Sequence, residues 1–148
     1  MQQYLFDLHG PLKPQKQTRF TCPCRKGRAY DPSKKDKEQM QWQLKTAAPA
    51  QPWAEPVAVT FEFIFPIPKG TSKIKYHQML TRQILPDIRP DEDNLAYLIT
   101  NAMKGIVYDD DKRICEKHVY KYYGLKPLVK ITVIPMRPQY GLSDATDL

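Results

Sequence analysis

The chain has 148 residues, of which 41% are hydrophobic and 26% charged, and its 23 Lys and Arg outweigh 16 Asp and Glu to leave a net charge of +7. That length suits one domain able to bury about 70% of its unfolded surface, so two full domains are not expected. The longest mostly apolar stretch, Val57 to Phe65, is interrupted by Thr60 and Glu62, whereas a spanning helix needs about 20 apolar residues; no membrane segment is expected. The first residues lack a basic segment followed by an apolar run and a small-residue cleavage site, which reads as a cytosolic protein. Cys22, Cys24 and Cys115 form an odd set, so reduced thiols rather than a disulfide framework are expected. Cys22-Pro-Cys24 lacks the second pair that zinc spacing requires, and His9, His77 and His118 are scattered.

In chain order, Tyr4 to His9 carries strand formers before Gly10-Pro11 and reads as a short strand. Pro14 to Arg28 is basic, turn-rich and poorly periodic, which suits a loop or an irregular hairpin. Asp31-Pro32-Ser33 supplies capping chemistry, and Met40, Leu44 and Ala47, with Trp42 beside them, predict a helix from about Lys34 to Ala48, ended by Pro49 and Pro52. Val57 to Phe65 is dense in β-branched and aromatic residues between Pro56 and Pro66, and predicts a strand central in a sheet. Residues 67 to 90 are basic and lack periodicity, which predicts a mobile loop. Leu95, Leu98, Ile99, Ala102 and Met103 recur at helical spacing and predict a second helix, stopped by Gly105. Ile106 to Tyr108 reads as a short extended run, and Ile114 to Tyr123 and Leu128 to Pro135 as two strands of a hairpin joined at Gly124. Residues 1–135 are thus one expected domain, with 136–148 a flexible tail.

The charge distribution is more informative than its sum. Seven of the 16 acids, Asp87, Asp91, Glu92, Asp93, Asp109, Asp110 and Asp111, lie within one 25-residue window of a basic chain. A surface that binds a polyanion should not gather carboxylates unless something cancels them, and a divalent cation does so. Carboxylates two apart inside a helix point about 200° from each other. At a helix start they need not, since Asp91 is then the cap or precedes it and Asp93 lies in the first turn. Ordinary capping explains acids there equally well. The second cluster, Asp109 to Asp111, follows the helix closely enough to return toward its start, although a solvated turn has the same composition. Magnesium, taking one or two carboxylates plus water and phosphate oxygens, suits such a site; calcium fits less well, since neither cluster has the alternating acids, central Gly and terminal Glu of an EF-hand.

Arg89-Pro-Asp-Glu-Asp-Asn-Leu95, followed by Asn101-Ala-Met-Lys-Gly-Ile-Val-Tyr-Asp-Asp-Asp111, resembles the signature of RusA-type endodeoxyribonucleases, the four-way junction resolvases. Weaker support lies in Pro14-Gln-Lys-Gln-Thr-Arg-Phe20, in Ala29-Tyr-Asp-Pro32, and in the strand pair ending near Ile134. The resemblance implies a small α+β fold with a mixed sheet packed by two helices, a homodimer, and symmetric nicking of Holliday junctions in recombination and repair. It implies that Asp91, Asp93 and Asp110 bind Mg²⁺, with Mn²⁺ able to substitute, and that Asp109 is a neighbour. Where the family usually has a lysine four residues after its second aspartate, this chain has Tyr97; its hydroxyl is the expected substitute, with Lys104, Lys112 or Arg89 as other sources of a cation. Lys16, Arg19, Lys69, Lys73, Lys75, Arg82 and Arg89 are the expected DNA-backbone contacts. The resemblance also implies a bacterial or phage-encoded protein acting on host nucleoid DNA. A catalytically weak or inactive branched-DNA-binding protein of the same fold is the alternative, with Tyr97 as its support; a regulatory protein that binds no nucleic acid leaves the basic charge unexplained.

Overall fold

The structure, a computed structural model, describes residues 3–20 and 28–136. Its spine is β4 (Val57–Pro66), in which Val57, Val59, Phe61, Phe63 and Phe65 are buried while the residues between them are half-exposed. This is the period of two that places alternate side chains on one face. Strand β4 lies between β5 (Ile114–Gly124), paired parallel, and β6 (Leu128–Pro135), paired antiparallel; β6 in turn pairs antiparallel with β1 (Tyr4–His9). The sheet is therefore mixed, in the order β1-β6-β4-β5. Two-residue strands β2 (Arg19–Phe20) and β3 (Ala29–Tyr30) form a separate small ladder, in keeping with the irregular hairpin expected there.

Helices α1 (Lys34–Lys45) and α3 (Glu92–Met103) pack against each other and against the sheet. Leu44 from α1 and Leu95, Ala96, Ile99, Ala102 and Met103 from α3 close the core over Phe6, Leu8, Ile131 and the inward side of β4. The architecture is the expected α+β, and no helix among the described residues is long and apolar enough to cross a membrane. Helix α1 ends at Lys45 rather than Ala48, and Trp42 is 77% exposed, because its apolar stripe reduces to Leu44 with half-buried Met40.

Three local expectations are corrected. First, the basic segment 67–90 contains a helix, α2 (Lys73–Leu80), in place of an unbroken loop. Ser72 caps it by accepting a hydrogen bond from the Lys75 amide at 3.4 Å, and none of its residues is buried, so it has no apolar face for periodicity to reveal. Second, in place of an extended run over Ile106 to Tyr108, Gly105 to Val107 form a turn and Tyr108 alone makes isolated bridges, to Trp53 and Lys104. The amides of Ile106 and Val107 donate to the Met103 carbonyl, that of Gly105 to Tyr108, and Gly105 has φ +79. Val107 and Tyr108 are nonetheless fully buried, and an apolar run looks the same in sequence whether extended or turned. Third, β5 and β6 do not form a hairpin, because β4 lies between them.

Pro66 pairs with Gly124 and Ile64 with Leu128, so the short β5–β6 connection passes over the end of β4. A Cβ on Gly124 would lie 2.5 Å from Ile64 Cγ2, so only glycine allows the chain this close. A parallel β4–β5 pair also demands a long crossover, and residues 67–113 supply it. That crossover carries α2, α3 and every member of the acidic island. The expected flexible tail, beyond Met136, lies outside the described residues, as do Cys22 and Cys24.

Candidate functional site

The N-terminal end of α3 presents the first pair of acids. Asp91 is the cap residue in extended conformation, φ −67 and ψ 147, and its carbonyl accepts from the Leu95 amide at 3.2 Å. Its carboxylate makes no capping hydrogen bond, so capping does not account for its charge. Asp93 accepts from the Asn94 amide through Oδ1 at 2.8 Å. Both residues are exposed, and neither joins an ion pair among the described residues. Two polypeptide segments brace this end. The Gln15 amide donates to the Asn94 carbonyl at 3.2 Å, which brings the basic N-terminal segment against the first turn of α3. From β5, Lys121 donates to the carbonyls of Ile88 at 2.7 Å and Pro90 at 3.3 Å.

Lys121 escaped the sequence reading as an ordinary strand residue. A usable signal was present: it alternates with Val119 and Tyr123 on the side of β5 that packs toward the core, where a lysine is out of place.

The second acidic cluster follows α3 at its other end. Asp109 receives a two-pronged ion pair from Arg113, at 2.8 Å to Oδ1 and 2.9 Å to Oδ2, which holds its carboxyl below the usual carboxylate range. Asp110 opens a single 3-10 turn over Asp111–Arg113. Its Oδ1 accepts from the Lys112 amide at 3.0 Å, chiefly responsible for its own lowered pKa, and its Oδ2 lies 3.6 Å from Nζ of Lys104, the residue that closes α3. Asp111 lines an open cleft of about 330 Å³ together with Tyr97 and Thr100 of α3 and Cys115, Glu116 and Lys117 of β5. Tyr97 is 55% exposed and lines this cleft outside the core.

The three aspartates singled out as metal ligands are thus divided. Asp91 and Asp93 share one end of α3, Asp110 is held by Lys104 at the other, and no group of three or more His, Cys, Asp or Glu is gathered for a metal among the described residues. The donor chemistry still suits a hard divalent cation. Magnesium needs only one or two carboxylates alongside water, and the Asp91 and Asp93 carboxylates are exposed and form no ion pair among the described residues. Asp110 stands apart from them in an exposed ion pair with Lys104, a class of contact that contributes about 0–1 kcal/mol.

The basic residues also divide. Lys16 sits against the start of α1: its amide donates to Ser33 Oγ at 2.8 Å, and its ammonium lies 3.7 Å from Asp36, which Lys13 also holds at 2.7 Å. Its charge is partly spent on a buried carboxylate. Arg19 on β2, Lys69, Lys73, Lys75 and Arg89 are exposed. Lys73 and Lys75, two apart on α2, project about 200° from each other and cannot both meet one phosphate track. Arg82, at φ +63, stacks its guanidinium 3.8 Å from the ring centroid of Tyr122, so its plane is already occupied by an aromatic face.

A curated relative, the uncharacterised protein YqaN of Bacillus subtilis (strain 168), is 28% identical over 80 residues, which is 53% of this chain and 56% of that protein. The chain therefore matches little more than half the length of that relative. The family model for endodeoxyribonuclease RusA matches residues 11–134, a span that runs from the loop before β2 through β6 and takes in both ends of α3. By that match over most of its length, the chain belongs to the RusA endodeoxyribonuclease family.

Proposed function

We propose that this protein is a divalent-metal-dependent endonuclease of branched DNA that resolves four-way junctions by paired phosphodiester hydrolysis as a homodimer. The observation that carries the reading is the pair of exposed carboxylates, Asp91 and Asp93, without cationic partners among the described residues, at the start of α3 in a chain of net charge +7. Family membership supports the class of reaction. In this reading Asp91 and Asp93 hold Mg²⁺, or Mn²⁺ in its place, and Asp110 completes the set after leaving Lys104. When bound, the ion supplies charge neutralisation at the phosphoryl oxygens and a more acidic water.

The remaining work belongs to the chain. The Tyr97 hydroxyl donates a hydrogen bond to a phosphoryl oxygen, and Lys104, once freed from Asp110, brings a positive charge to the same region. Lys69 and one of the two exposed α2 lysines, Lys73 or Lys75, hold the sugar-phosphate backbone without reading bases, as does Arg19. The expected site of action is nucleoid DNA of a bacterial host.

The test compares synthetic four-way, forked and linear DNA of matched sequence, with Mg²⁺ and with Mn²⁺. Cleavage of the four-way substrate above the others is expected. Asp91→Asn and Asp93→Asn should abolish it while junction binding persists or tightens, because each removes a negative charge facing phosphates. Asp110→Asn should also abolish it; near wild-type turnover would remove Asp110 from the ligand set. A second reading, a junction-binding protein that cuts weakly or not at all, is favoured by Tyr97 at the expected lysine position and by the Asp110–Lys104 pair. Tight binding without strand cleavage in either metal would establish it.

A further inference from the structure

We infer that Lys121 is a positioning residue for the carboxylates at the start of α3, acting through the backbone of residues 88–90. The inference rests on reading that end of α3 as the metal-binding end. Strand β5 places Lys121 opposite Phe63, between Val119 and Tyr123, both of which pack against the core. Its ammonium lies 5.1 Å from the centroid of the Phe65 ring and donates to Ile88 O at 2.7 Å and Pro90 O at 3.3 Å. An ammonium turned toward an apolar face has to be hydrogen-bonded there, and the carbonyls are what it finds. From their side the need is as great. Beyond Ile84, whose amide donates to Gln78, no backbone–backbone hydrogen bond among the described residues ties down the chain until Asp91 accepts from Leu95. The two carbonyls held by Lys121, together with buried Pro86, therefore anchor this stretch, and the second carbonyl belongs to the residue immediately before Asp91. Because β5 is paired along its length with the buried β4, the tether refers the start of α3 to the most rigid part of the sheet. Lys121 spends two of its three donors on these carbonyls.

The experiment compares Lys121→Met, which keeps the aliphatic stem, with Lys121→Arg and with Asp91→Asn. In the metal-free protein, Lys121→Met should speed amide hydrogen exchange at Leu95 and Gln15, whose amides bond to the first turn of α3, about tenfold or more while β4 and α1 exchange as before. In junction cleavage it should raise the Mg²⁺ concentration for half-maximal rate by about tenfold, with junction affinity within about twofold, as expected when support behind a metal ligand is lost. Lys121→Arg should stay close to wild type in both measurements. Unchanged exchange and unchanged Mg²⁺ dependence in Lys121→Met, with Asp91→Asn inactive, overturn the positioning role and leave the metal site standing. Faster exchange confined to the Leu95 and Gln15 amides in a protein whose Asp91→Asn variant cleaves normally shows the tether but overturns its function. Should Lys121→Met fail to fold, Lys121→Arg decides: exchange and Mg²⁺ dependence close to wild type support the role of a cation at this point, while folded protein with both altered as in a tether loss overturns the claim that charge donated to these carbonyls suffices.

Discussion

Asp109 and Asp110 are neighbours with the same formal charge, yet their surroundings assign them different work. Asp109 is saturated by the Arg113 fork and has no oxygen left uncommitted, whereas Asp110 is held by one amide and a long contact to Lys104. Arg113→Ala should raise the Asp109 pKa toward its ordinary value of about 3.9, which a carboxyl-carbon NMR titration reads directly. The sign for stability follows from the depressed folded value: the pair stabilises above the unfolded pKa, and its contribution is lost as pH falls through the lower folded pKa. Wild type should therefore show a loss of stability in that acidic window that Arg113→Ala lacks. At Tyr97, exposure separates chemistry from packing. Tyr97→Phe should slow single-turnover cleavage by roughly tenfold with unchanged junction affinity, the mark of an interaction made in the transition state. Tyr97→Ala should melt within about 2 °C of wild type, since surface substitutions change stability by about 0.5 kcal/mol or less.

At the scale of elements, the position of β4 between β5 and β6 determines where the site is. A β5–β6 hairpin would have left β4 with one fewer partner and removed the need for the long β4–β5 crossover that carries α3. The crossing over the end of β4 depends on a missing side chain. Gly124→Ala should destabilise the protein by about 1–3 kcal/mol, because its Cβ meets the branched Ile64 side chain, which cannot swing away freely. Ile64→Ala removes the obstructing methyl, so the double variant should be more stable than the sum of the two single losses. Urea unfolding of the four proteins gives the coupling energy, and strict additivity would show that the close approach is not the constraint.

For the whole molecule, charge is arranged so that acids occupy the ends of one helix and bases occupy the borders. The N-terminal basic segment reaches α3 through Gln15, while Lys69 and α2 stand near the far end of β4 and β5. Neutralising Lys69, Lys73 and Lys75 together should weaken junction binding regardless of base sequence. It should also make log affinity against log salt shallower by up to about two units, at about 0.9 per phosphate contact, because Lys73 and Lys75 face apart. Fluorescence anisotropy across a salt series measures it. An unchanged slope would move the DNA track to Lys16 and Arg19.

Residue patterns alone determined much of this protein. The density of β-branched and aromatic residues between Pro56 and Pro66 identified the central strand, the spacing of Leu95 to Met103 identified α3, and Asp91-Glu-Asp-Asn-Leu with Asp109-Asp-Asp located both acidic clusters and the family resemblance. These features are local: they depend on side-chain period and on residues adjacent in the chain. Strand order, the turn at Gly105 to Val107 and the partners of each charge are non-local, and only the tertiary structure decided them. Helix α2 buries no side chain, so it left no periodic trace. Lys121 reads as one more strand residue until the fold sets its ammonium against the carbonyls of Ile88 and Pro90, more than thirty residues earlier in the chain. The same distance effect holds Asp110 on Lys104 and puts Asp111 beside Tyr97: neighbours in sequence share a composition, but their contacts depend on which elements the sheet brings together.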